Sequence, residues 1–244
     1  MINEFLTSVI HRPYVFIFLA SYLVLAKIRW GTTKTLIWLV SGYIIAWLSE
    51  YSSINTGFPY GEYHYIYASM PGELMIAGVP FFDSLSYPFM IFAGFTTAAL
   101  LMKTERGLKV AFLGAIFTTL LDVIIDPISK LGSQWFLGKI YYYVENGFYF
   151  GIPFSNFAGW FLVSLAVILF NQGIWQLVGE KGKPLSMSKR EILYPAFYIS
   201  IGLFGVAVAA YISAYRIFAA NFIIVIVMMI ATMKSLRSSI RALP

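Results

Sequence analysis

The feature that most constrains this chain is a series of apolar stretches separated by short polar turns. A helix needs about 20 mostly apolar residues to cross a bilayer. Seven stretches approach that length: residues 10–27, 35–52, 84–102, 108–126, 155–175, 192–213 and 217–234. Only 11% of the 244 residues are charged and 59% are hydrophobic, whereas soluble domains carry about 25% charged residues. The expected fold class is all-α, a polytopic membrane helix bundle of about seven transmembrane helices. No polar linker is long enough to separate two units, so residues 1–244 read as a single integral membrane domain. The first apolar run continues into a full span without a small-residue cleavage site, so no cleavable signal peptide is expected.

Seven spans place alternate loops on opposite sides, and the basic residues follow that alternation. One side takes Lys27, Arg29, Lys34, Lys103, Arg106, Lys109, Lys181, Lys183, Lys189, Arg190, Lys234, Arg237 and Arg241. The other keeps only Arg12, Lys130, Lys139 and Arg216 of the 17. The positive-inside rule then sets a multi-pass protein of the cell membrane, N-terminus outside and C-terminus cytoplasmic. The net charge of +6 is a collar facing anionic lipid and calls for no nucleic acid.

The chain has no cysteine and two histidines, His11 and His64. That composition excludes disulfides, thiolate metal sites and cysteine nucleophiles, and argues against histidine-rich di-iron chemistry. No G-x-G-x-x-G follows a strand pattern. The remaining chemistry belongs to carboxylates, amides, tyrosines and water.

The eleven acidic residues complement the bases. Glu105, Glu180 and Glu191 lie among the lysines and read as surface charge. Glu50 ends the second span, Asp83 opens the third, and Asp122 and Asp126 fall in the last turns of the fourth, in "LDVIIDP". Pro127 is expected to end that helix. Ionisable groups at membrane depth are costly and usually mark function. The alternative is hydration at the interface.

An internal repeat adds geometry. "GVPFFD" at 78–83 matches "GIPFSN" at 151–156, and "GEYHY" at 61–65 parallels "GKIYYY" at 138–143. Glu50 and Asp126 sit at similar distances upstream. Spans two and three are thus repeated as spans four and five, related by an axis along the membrane normal. Glu50 pairs with Asp126 and Asp83 with Asn156, and with Asp122 these ring one outward-facing cavity. Asp83 and Asn156, three residues past their prolines, also suit helix capping. The outer loops "FPYGEYHYIY" and "YYYVENGFYFG" are denser in aromatics than an interfacial belt requires, and suit lids whose ring faces stabilise cations.

"GFPYGEYHY", "GVPFFDSLSYPFM", "LDVIIDP" and "YFGIPFSNFAGWFLV" together resemble the membrane carotenoid-biosynthesis family that contains the CruF-type carotenoid hydratases. The resemblance covers roughly residues 45–170. It implies a multi-span enzyme that adds water to the terminal double bond of an acyclic carotenoid, without a cofactor or metal. Hydrating such an alkene requires an acid, a stabilised tertiary cation and a delivered water. Asp122 and Asp126, at i and i+4 on one helix face, supply an acid and an anion, with Asp122 the deeper. Asp126 or Glu50 then positions the water, helped by Asp83 and Asn156. Tyr63, Tyr65, Tyr142 and Tyr143, with Trp160, form the cation-stabilising and substrate-binding wall. The expected partners are a hydrophobic polyene and the bilayer. Competing readings are a carotenoid or isoprenoid cyclase, which shares the protonation step, and a prenyltransferase, which needs a second acid-rich motif. A non-enzymatic lipid or carotenoid binding or transport protein is the third.

Overall fold

A computed structural model describes residues 1–178 and 189–240, with side chains at all of these except 189 and 234–240. Glu180, Lys181, Lys183 and Arg241 lie outside the described residues, as do the side chains of Lys189, Lys234 and Arg237.

Among the described residues the chain is all-α apart from two short two-stranded ladders. A first helix, α1 (Ile2–His11), is followed by α2 (Pro13–Trp30) and α3 (Thr32–Thr56). A loop carries β1 (Tyr63–Tyr65), β2 (Met75–Ile76) and β3 (Val79–Pro80). Then come α4 (Phe81–Met102), α5 (Leu108–Lys130), β4 (Tyr141–Tyr143), α6 (Phe154–Leu177), α7 (Leu193–Tyr211) and α8 (Tyr215–Ile240). Six of these helices are long and apolar enough to cross a membrane. The remaining expected span, the second, falls on α3, which has 25 residues but is less apolar, because it carries Lys34, Glu50 and several hydroxyls. Each expected span falls on one long helix. The first begins later than its apolar run, because Arg12 separates α1 from α2 and Pro13 supplies a first-turn residue with no N–H to satisfy.

The bundle is built around α4, which is buried along most of its length and packs on α2, α3, α5 and α7. Its closest approach is to α5, at Gly94 and Gly114. A Cβ on Gly94 would lie 2.8 Å from the Thr118 backbone nitrogen and 2.9 Å from the Gly114 carbonyl oxygen. Small residues at that crossing let the two backbones touch, which is how membrane helices gain packing without a hydrophobic drive.

The repeat is visible in the backbone. Strands β1 and β4 pair antiparallel with register Tyr63↔Tyr143, His64↔Tyr142 and Tyr65↔Tyr141, so the ladder is symmetric about its central pair. Ala77–Gly78 and Phe150–Gly151 adopt the same left-handed turn, with φ of 50° and 82° in one unit and 52° and 82° in the other. Pro80 and Pro153 follow in extended conformation and lead into α4 and α6.

Three local expectations are corrected. Helix α5 does not stop before Pro127 but runs through it to Lys130, because the proline removes one helical hydrogen bond while the helix stays packed in the bundle. Glu50 does not end its helix either: α3 continues to Thr56. Both acids are therefore held inside regular helix. Neither Asp83 nor Asn156 caps its helix through the side chain. A further correction concerns Glu105 and Glu191, which are not free surface charge. Arg29 Nε lies 2.5 Å from Glu105 and its Nη1 2.7 Å from Glu191, over the Tyr194 ring. This cluster clasps α2, the α4–α5 turn and the start of α7 at one end of the bundle.

Candidate active site

The opposite end of the bundle holds the acids. Glu50 is almost fully buried and accepts from three phenols. Tyr63 donates to Oε2 in a very short contact, Tyr65 donates to the same oxygen at 3.1 Å, and Tyr87 donates to Oε1 at 2.5 Å. The Tyr65 hydroxyl also contacts Asp83 Oδ2 closely. One strand thus sends its alternate side chains, Tyr63 and Tyr65, inward onto an acid of the preceding helix.

The second unit repeats this arrangement. Asp126 accepts from Tyr141 on Oδ1 and from Tyr143 on Oδ2 at 2.8 Å. Asn156 Nδ2 lies 3.0 Å from Asp126 Oδ2 and 2.8 Å from Asp122 Oδ2. Asp122 has no acidic counterpart in the first unit, where the equivalent position is Ala46. The second unit thus carries a carboxylate pair one helical turn apart, bridged by the amide that stands where the first unit has Asp83.

Both clusters line one cavity of about 120 Å³. Glu50, Asp83, Asp122, Asp126, Asn156, Tyr63, Tyr65, Tyr143 and Trp160 all contribute to its wall. Tyr142 does not. Strand alternation turns it outward, where it is 45% exposed and lies against His64, while Tyr141 takes the inward place. Tyr60, Tyr87 and Tyr14 are further wall residues that sequence reasoning missed. For Tyr87 a signal existed: it stands four residues past Asp83, as Trp160 stands four past Asn156. The apolar part of the lining is formed by Phe18, Phe89, Met90, Ile125, Ile201 and Phe204.

Burial raises the phenol pKa values of Tyr65, Tyr141 and Tyr143 well above the usual range, and the neighbouring carboxylates add to the shift. For Tyr65 these are Asp83 and Glu50; for Tyr141 and Tyr143 the larger is Asp126. All three remain protonated donors at any physiological pH. Among the described residues, no group of three or more His, Asp or Glu side chains is placed to hold a metal ion.

The cavity is braced by a buried ion pair. Arg12, at the α1–α2 junction, meets Glu73 through Nε at 3.1 Å and Nη2 at 2.7 Å. Its Nη1 donates to the Leu137 carbonyl, and its guanidinium lies over the Phe82 ring. One side chain thus ties together both loops that roof the cavity.

Comparison with known proteins gives a consistent result. A family model described as carotenoid biosynthesis protein matches residues 11–232. Over 127 residues, 51% of this chain, the sequence is 32% identical to a bisanhydrobacterioruberin hydratase of Haloarcula japonica. The matched segment spans 40% of that relative's length. No solved structure matches.

Proposed function

The chain belongs to the carotenoid biosynthesis protein family, and from that membership we propose that it is a hydratase acting on the terminal double bond of an acyclic carotenoid. The observation that carries this reading is the cavity itself: two carboxylate–tyrosine clusters and a set of hydrocarbon side chains line the same small space. The partial match to a hydratase supports it.

In the proposed reaction, Asp122 is the acid. It accepts one hydrogen bond, on Oδ2 from Asn156, which leaves Oδ1 for a proton facing the substrate. Asp126 accepts on both oxygens and is held as the anion. The Asp122 proton adds to the less substituted alkene carbon, and the π electrons form the new C–H bond. The resulting tertiary cation lies near the Asp126 carboxylate and the ring faces of Trp160 and Tyr87, which stabilise positive charge. Glu50 and Asp83, joined through Tyr65, hold the water. Its oxygen bonds to the cationic carbon, its proton passes to Glu50, and exchange with cavity water resets both acids. The sum is one added water with no change in electron count, so the step calls for no redox cofactor. Positioned proton transfer of this kind contributes on the order of 10²–10⁴ in rate.

The membrane setting follows the same reading. Lys27, Arg29, Lys34, Lys103, Arg106, Lys109 and Arg190 stand at the end opposite the cavity. We place that end in the cytoplasm and the cavity near the outer face of the cell membrane, N-terminus outside. The bilayer then supplies the polyene and the outer interface supplies water.

Expression in a host that accumulates lycopene, followed by mass analysis of the pigments, tests this. The hydratase reading expects products heavier by one water per end group. A cyclase leaves the mass unchanged while altering retention. Unaltered pigment across several acyclic carotenoids would refute the assignment.

A further inference from the structure

We propose that the seam between α2 and α7 is a lateral entrance, through which an acyclic isoprenoid chain slides its terminal group from the bilayer to the carboxylates. This rests on the function proposed above.

The first ground is size. At about 120 Å³ the cavity is far below the roughly 300–1,000 Å³ of pockets that enclose drug-sized ligands. A polyene as long as the bilayer core is thick, roughly 30 Å, cannot be enclosed. Only its end group fits, so the remainder must leave the protein through an opening in contact with hydrocarbon.

The second ground is the apolar part of the wall. Phe18 of α2 and Ile201 and Phe204 of α7 line the cavity together with the acids. Tyr14 and Phe204 stack there at 5.3 Å, and Phe18 meets Phe204 edge-on at 5.8 Å. Tyr14, Phe18 and Phe204 are each partly exposed rather than buried. The residues beside them, Ile17 and Leu203, are 64% and 47% exposed on helices of membrane-spanning length, which places this seam against lipid tails. Ring contacts of modest strength close the seam at this level, so rotamer changes are enough to open it.

The third ground is the contrast with the loop face. There, a recess lined by Asn55, His64, Tyr65 and Tyr67 is polar and suits water. Tyr65 also lines the cavity. Hydrocarbon and water therefore have separate approaches to the same carboxylates.

The chain has no cysteine, so a single introduced thiol reports cleanly. The test uses full-length Phe204→Cys protein in lipid nanodiscs, labelled with a membrane-permeant maleimide with and without lycopene. Leu203→Cys, one residue away on the same helix, is the control. Lycopene is expected to slow labelling at position 204 at least fivefold and to leave position 203 unchanged. Equal rates at 204 with and without lycopene, or equal slowing at both positions, overturn the entrance. If Phe204→Cys does not fold, Phe18→Cys with Ile17→Cys as control gives the same readout. Product mass from the wild-type protein is read separately. Protection without hydration sustains the entrance and sinks the catalytic assignment; hydration without protection does the reverse.

Discussion

Tyr87 and Trp160 stack face to face, with ring centroids 4.0 Å apart and planes 5° from parallel. They occupy equivalent positions in the two repeat units, four residues past Asp83 and Asn156. Tyr87 also holds Glu50 at 2.5 Å, so the stack joins the Glu50 cluster to α6, the helix that carries Asn156. Trp160→Leu removes the stack, a contact worth about 1 kcal/mol beyond area burial. Conversion should fall roughly five- to tenfold, with a much smaller effect in Trp160→Phe. Initial rates of carotenoid conversion, set beside melting temperatures of both variants, check this.

The bridged pair Asp122–Asn156–Asp126 carries the sharpest functional expectation. Asp122→Asn keeps the shape and the amide contacts but has no carboxylic proton, so conversion should drop by on the order of 10²–10⁴ with folded protein retained. Asn156→Ala leaves two facing carboxylates without their bridge and should cost on the order of 10². Rates within twofold of wild type for Asp122→Asn, in protein that elutes as a folded species, would assign the acid elsewhere.

Strand β4 offers a control within three consecutive residues. Tyr141 and Tyr143 face Asp126, whereas Tyr142 faces out. Tyr141→Phe deletes a charge-assisted hydrogen bond, worth about 1.5–3 kcal/mol, and should reduce conversion at least tenfold. Tyr142→Phe should leave it within twofold. Parallel assays of the two variants decide whether strand alternation defines the wall.

That strand also shows what the sequence could and could not reveal. The repeat, the acids and the tyrosine-rich loops were legible, because covalent spacing and duplicated motifs are local properties. Register was not: in "YYY" any member can face inward, and only pairing with β1 sets which. Tyr87 lay in an apolar helix where an aromatic reads as packing, although alignment of the repeat with Trp160 pointed to it. The continuation of α5 past Pro127 depends on neighbouring helices rather than on the proline itself. The Arg29–Glu105–Glu191 cluster and the Arg12–Glu73 pair join residues far apart in the chain, and nothing near any of them in sequence marks a partner.

The Arg12–Glu73 pair sets a stability expectation. Both side chains are almost fully buried, and removing one partner strands the other charge, which typically costs 3–5 kcal/mol. Arg12→Met and Glu73→Leu should each lower the melting temperature markedly. The double variant should recover much of the loss, since two apolar side chains leave no unpaired charge. Melting curves of all four proteins in one detergent, read as a double-mutant cycle, measure that recovery.

A cavity that adds a proton and a water to an alkene takes both from the solvent, and isotopic water reports each of them. Purified protein in nanodiscs, supplied with lycopene, is incubated separately in water enriched in heavy oxygen and in deuterium oxide. One heavy oxygen and one non-exchangeable deuterium are expected per hydrated end group, both absent with Asp122→Asn. A product that gains deuterium but no oxygen, or whose oxygen does not come from water, would rule out hydration at this cavity.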